Sequence, residues 1–514
     1  MLHEEVDCLL IRDNRNGPDQ LQCNANRDAF IQPRVKAQPN SITRSGYHLM
    51  KYARLAVSVL FLFTALIILG CGGGAVNTPP LGSSAVSVTI RDTPPSGFTF
   101  LSFEVSVTGA TLSPGNVDLL GGKGPVSIEV KQLETEAAFL NTANVTPGTY
   151  AGVTLTFANP DLTFRNDTGA TLAGCAPGAV CEIKPAGTLT ATVNFPAPGI
   201  TIAPSTPSGI QIDVNPNTIL SAGLGVDFGQ SGAVTVQQLT VKPAGEFDEV
   251  EDLRGAVQNL DATNKKFTLH TLGGDFSITS DNNTHYEFDT CTANDFTCLQ
   301  NNQVVEVGVR LMPGGVFLAR KIGFEDNAQD DELDGVVYKI DDATHFEMVV
   351  LDELRSVNNV SVGNAVVVTL SNPTFRVKRD ALQVPSALQG AFEGAVDTSQ
   401  LLTGQTVQIR LTAPANPGPP IKVTADRVRL RMTQVTAKVQ GAPAPPNFTV
   451  GSLPSLFTNA SISSIHVQTS SSTDFVGVSG VSGLADGDTT SLRGLLFKNG
   501  ANPPELIAKK VRKR

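Results

Sequence analysis

From Ala85 onward, apolar and polar residues alternate one for one, and this period constrains the fold more than any other feature of the chain. In Leu101-Ser102-Phe103-Glu104-Val105-Ser106-Val107 every second side chain is apolar. Ala85–Ile90, Val153–Phe157, Leu189–Val193, Ile210–Ile212 and Val234–Val236 repeat the pattern. A period of two puts one face of a strand in a core and the other in water. The chain holds 32 Pro and 47 Gly, and breaks rich in them separate these runs. Such punctuation predicts antiparallel strands in a sandwich or barrel. The expected fold class is all-β, with an N-terminal β-sandwich followed by two or three small β-barrel-like repeats. One short helix is expected over Lys131–Leu140, where Leu133, Ala137 and Leu140 share a face and Glu134 and Glu136 point elsewhere.

A different pattern precedes this body. Lys51 and Arg54 stand before Leu55–Leu69, which is apolar except for Ser58 and Thr64, and Ile68-Leu69-Gly70-Cys71 closes the segment. A charged start, an apolar core and a small residue before the cut are the parts of an export signal. The Cys directly after them resembles the lipobox of bacterial lipoproteins, with Ile68 where Leu is more usual. That resemblance implies that Cys71 is acylated and becomes the first mature residue. The alternative is a transmembrane helix, but Leu55–Leu69 would span roughly 22 Å of a hydrocarbon core roughly 30 Å thick. Each buried methylene contributes about 0.8 kcal/mol, so two or more acyl chains hold firmly where one does not. The expected location is the cell envelope, with the membrane as a partner through the lipid. Gly72 stands where an Asp would suggest inner-membrane retention, so the outer membrane or cell surface is expected if the cell has two membranes. Residues 1–49 are rich in Asn, Gln and Arg and are read as an overlong start or disordered extension before Met50. A genuine cytoplasmic extension is the alternative. Residues 50–70 are then the signal peptide and 71–84 a Gly-rich tether.

Lys and Arg total 38 against 48 Asp and Glu, for a formal net charge of -10. This balance argues against a nucleic-acid partner, since phosphate binding needs concentrated positive charge. The one basic cluster, Lys509, Lys510, Arg512, Lys513 and Arg514, is expected to be a solvated tail. Of the seven Cys, Cys8 and Cys23 precede the signal and Cys71 is the lipid site. Cys175/Cys181 and Cys291/Cys298 are close pairs, which in an exported chain read as two small disulfide loops. Neither pair has the spacing or nearby His of a zinc site, and free thiols are the other alternative.

Two family resemblances organise the rest. The opening strand runs into Asp92-Thr93-Pro94, Leu133 and Phe139-Leu140 follow, and Pro147-Gly148-Thr149-Tyr150 leads into Val153-Thr154-Leu155. This order, over about residues 85–241, resembles domain of unknown function 4382, which implies an exported β-domain with no established activity. Asp92 itself is read as a turn former before Thr-Pro. The second half repeats. Gly255-Ala256-Val257, Phe267-Thr268-Leu269, Val305-Glu306-Val307 and Ala319–Ile322 form one unit. Gly335-Val336-Val337, Phe346-Glu347-Met348, Val407-Gln408-Ile409 and Ala425–Val428 form a second with a long insertion. Val435-Thr436-Ala437, Phe448-Thr449-Val450 and Ala508–Val511 form a fainter third. These units, over about residues 255–511, resemble domain of unknown function 5666. The expected domains are 85–245 for the sandwich, then 255–324, 335–431 and 432–514, the last degenerate and carrying the basic tail.

Glu246–Arg254 and Glu325–Asp334 separate the units and are expected to be solvated acidic linkers. Asp326, Asp330, Asp331 and Asp334 lack the alternating spacing and distal Glu of a calcium loop, so no metal and no cofactor is expected. No HExxH, GxSxG or GxxxxGK[ST] signature occurs, and no catalytic residue is assigned. His270, His285, His345 and His466 are scattered without paired spacing. Trp is absent and Tyr numbers five, a poor supply of flat platforms for sugars, while most of the 25 Phe fall on strand positions expected to be buried. The reading is a lipid-anchored envelope protein with a binding, adhesive or structural role and no catalysis, partnered by an envelope protein or glycan. The alternatives are a surface glycan-binding module, or a hydrolase with an unrecognised pair of acids.

Overall fold

A computed structural model describes residues 82–514 apart from 93–99, 244, 272–273, 289–290, 328–329 and 354–358. Residues 1–81, including Cys71 and the segment expected to direct export, lie outside the described residues. The described body is all-β.

The sandwich is built where the alternation is cleanest. Strands β1 (Ser84–Asp92), β2 (Phe100–Ser113), β3 (Ala138–Val145), β4 (Gly152–Arg165), β5 (Thr190–Asn194), β6 (Ser208–Val214) and β7 (Val234–Leu239) form its two sheets. One sheet runs β7-β6-β1-β3, with β1 and β6 parallel, and the other is centred on β5-β4-β2. Their inner faces share one core, with Val86, Val88 and Ile90 against Phe103, Leu155 and Phe157. Each such side chain contributes about 1.5–3 kcal/mol on full burial. The helix expected over Lys131–Leu140 is a correction. Only a 3-10 turn forms, Val130–Glu134, with the Glu129 carboxylate accepting from Lys131 N. Ala138 and Phe139 instead pair with Ile90 and Thr89 in the ladder. Apolar spacing of three and four suits a helix in isolation, but a free β1 edge offers β3 backbone partners and burial together.

Three barrels follow. The first uses β8 (Asp248–Asp261), β9 (Lys266–Thr271), β10 (Gly274–Thr279), β11 (Gln303–Met312) and β12 (Val316–Asn327). The second uses β13 (Glu332–Ile340), β14 (His345–Glu353), β15 (Ala365–Val377), β16 (Thr406–Leu411) and β17 (Ile421–Leu430). The third uses β18 (Met432–Val439), β19 (Asn447–Gly451), β20 (Ile465–Gln468), β21 (Thr489–Asn499) and β22 (Asn502–Lys513). All three close in one order, first-second-third-fifth-fourth, and in each the third and fifth strands pair in parallel. This is the connectivity of an OB-type Greek-key barrel. Closure demands sharp coiling of the first strand, and Gly supplies it. A Cβ on Gly335 would sit 2.5 Å from the Val349 carbonyl oxygen, and Gly255 is equally crowded by His270. Barrel 2 carries an eight-residue helix, α1 (Ser386–Glu393), between its third and fourth strands.

Three further expectations are corrected by how the barrels pack. Glu246–Arg254 and Glu325–Asp334 are not solvated linkers: β8, β12 and β13 run through them, and Glu246, Glu332 and Asp334 are buried. Arg310, Arg427 and Arg254 pair with these three acids in turn, which offsets the cost of taking them out of water. The C-terminal basic cluster is likewise no solvated tail. A register shift in the β21–β22 ladder between Ala508 and Lys510 lets both Ala508 and Val511 enter barrel 3, while Lys510 approaches Glu249 and Lys513 bonds Asp488 at 2.6 Å. Asp92 ends β1 fully buried, and among the described residues neither carboxylate oxygen has a hydrogen-bond partner; the turn expected at Thr93-Pro94 lies outside the described residues.

Candidate functional site

The four small-loop cysteines form two disulfides, Cys175–Cys181 and Cys291–Cys298. The first closes a loop beside β4, and the second closes one between β10 and β11. The remaining candidates do not converge. His270 pairs with Asp275, His345 with Asp342 and His466 with Glu505, each within its own barrel. Asp330 pairs with Arg410 and Asp334 with Arg254 and Arg431, so the acidic run is neutralised by separate arginines. Among the described residues, no group of three or more His, Cys, Asp or Glu is placed to hold a metal ion.

Two features that alternation concealed are more informative. The first is a charge cluster where barrel 1 meets barrel 2. Glu306 on β11 receives Lys378 at 2.9 Å and Arg431, with Lys321 at 4.0 Å. Lys321 also pairs with Asp380. Arg431 reaches Asp334 at 3.2 Å, which Arg254 holds at 3.0 Å from the other side. Burial alone would raise the Glu306 pKa, but Arg431, Lys378 and Lys321 outweigh it and hold the carboxyl well below its ordinary range. In sequence Glu306 stands as the polar member of Val305-Glu306-Val307, the position that faces outward from barrel 1. It is buried only because barrel 2 packs there, and no local signal reports that.

The second is the seam between the sandwich and barrel 3. The Val130–Glu134 turn lies against β18: Gln434 accepts from Thr135 Oγ1 at 3.1 Å and donates to the Gln132 carbonyl at 2.8 Å, and Thr436 donates to Glu134 at 3.0 Å. Glu136 pairs with Arg493 alongside. A polar cavity of about 80 Å³ lies here, lined by Arg254, Asp334, Arg431 and Arg493. Next to it opens a larger cleft of about 330 Å³. Its apolar wall is Phe100, Leu101, Leu453, Leu456 and Phe457, and its polar wall is the outward row Gln434, Thr436 and Lys438 on β18.

Fold and seam together define a β-sandwich welded to three OB-type barrels. Residues 254–323, which are barrel 1, match the family model described as a domain of unknown function, DUF5666. No curated protein matches the chain.

Proposed function

We propose that this chain is an exported envelope protein, held to a membrane by lipid on Cys71, whose body binds or braces other envelope components without catalysis. The sandwich, over about residues 85–241, is in this reading a relative of domain of unknown function 4382. The observation that carries it is the conjunction of the Leu55–Leu69 segment and Cys71 with two disulfides in the body behind them. Disulfides persist in oxidising compartments and are rare in the cytosol, so the body's chemistry agrees with the address that the leader gives. The negative net charge agrees with a partner other than nucleic acid.

The test is expression of the full chain in a bacterial host with mass spectrometry of the mature N-terminus. The expected result is a mature chain beginning at an acylated Cys71 in the membrane fraction, and Cys71→Ser shifts the protein to an unprocessed, unacylated form. Recovery of a peptide from residues 1–49 in the purified protein, or unchanged fractionation of Cys71→Ser, sinks the reading.

A further inference from the structure

The cleft between the sandwich and barrel 3 has a volume of about 330 Å³, within the range of about 300–1,000 Å³ typical of ligand pockets, and it lies at a domain interface, where such pockets concentrate. Most of its charged and amide groups are committed to one another. Gln434 is bonded to Thr135 and Gln132, and Thr436 to Glu134. Lys131 pairs with Glu134 and lies 5.8 Å over the Phe100 ring. Among the charged groups of the lining Lys438 is the exception: it is exposed at the rim and makes no ion pair or side-chain hydrogen bond among the described residues. The floor is fixed by Gly404, whose φ of 94° and close passage over Phe457 leave no room for a side chain.

An apolar trough with one uncommitted cation at its mouth suits a ligand with a slim hydrocarbon body and an anionic head. We propose that this cleft binds a medium-chain carboxylate amphiphile, with its chain against Leu453, Leu456 and Phe457 and its carboxylate at Lys438. This inference goes beyond the anchoring reading and does not depend on it.

Calorimetric titration of decanoate into the full-length Cys71→Ser protein, free of detergent, tests it. The expected result is saturable one-to-one binding, with decyltrimethylammonium at least tenfold weaker. Lys438→Glu, an exposed change that leaves the fold intact, weakens decanoate about three- to tenfold. Leu456→Trp fills the trough and abolishes binding while the far-ultraviolet circular dichroism is retained; should that variant fail to fold, Lys438→Glu still decides. Uptake that does not saturate at one equivalent, equal affinity for the cationic amphiphile, or unchanged affinity in Lys438→Glu would overturn the proposal.

Discussion

Barrel 2 joins its two neighbours by opposite chemistries. Toward barrel 1 it presents Lys378, Asp334 and Arg431, which enclose the buried Glu306. Toward barrel 3 it presents rings: Phe392 of α1 meets Phe375 at 5.4 Å and Phe497 of β21 at 6.3 Å, and Leu495 and Ile507 join the same core. An apolar contact gains free energy roughly with area and tolerates small changes of angle. A buried ion cluster gains little net free energy, but losing any member is costly, because the survivors stay out of water unpaired. The first junction therefore fixes orientation and the second supplies adhesion.

The largest effect expected from breaking this contrast is at Glu306. Glu306→Ala takes the shared carboxylate from Lys378, Arg431 and Lys321, leaving Arg431 with Asp334 and Lys321 with Asp380, and should cost about 3–5 kcal/mol at pH 7 by urea denaturation. The pH sign follows from the depressed folded pKa. The stabilisation is fully present above the ordinary glutamate value of 4.5 and is lost as pH falls below it. Wild type and variant should therefore converge in acid, and a constant difference down to pH 3 would break the ionic half of the comparison. Phe497→Leu, which trims the ring at the apolar junction, should cost about 1–2 kcal/mol with no change between pH 4 and pH 7. A pH-dependent loss there would break the other half.

A third setting sharpens the contrast, because it holds a half-buried glutamate without a cation. Glu129 in the sandwich accepts from Phe103 N at 2.8 Å, Ser102 Oγ at 2.5 Å and Lys131 N at 3.0 Å. Desolvation outweighs these bonds and pushes its pKa from 4.5 up to about 7. Here the sign reverses. The fold favours the protonated form, so stability is greatest below 4.5 and declines as pH rises to about 7. Glu129→Gln should remove about 1–2 kcal/mol of that decline, read from the slope of stability against pH. The smallest effect is expected at Asp92, where burial and then Glu134 raise the pKa well above the usual carboxylate range. Asp92→Asn should change stability by under about 1 kcal/mol at pH 7, and a loss above 2 would mean that the carboxylate has a partner in the folded chain.

The all-β class was legible because alternation is a local property of the chain: Leu101 to Val107 announce a strand without reference to anything else. The disulfides were legible for the same reason, each joining residues a single loop apart. The junctions were not. Glu306, Glu332 and Asp334 carry the pattern of solvated positions, and only the packing of one barrel on another takes them out of water. The Lys131–Leu140 segment failed in the same way, since the β1 edge that claims its second half lies far back in sequence. The 330 Å³ cleft combines β2, β18 and the Ser452–Phe457 stretch, and no window of sequence contains all three.

One residue, Arg431, separates β17 from β18. Its backbone N–H bonds the Thr406 carbonyl at 3.0 Å, while its guanidinium reaches back to barrel 1. The tandem units are thus not beads that can be cut out and reshuffled. Inserting one residue at this point would turn every side chain of β18 to the opposite face, or withdraw the arginine from its carboxylates. A change at the joint between the second and third barrels therefore reaches the first junction as well, through this one side chain.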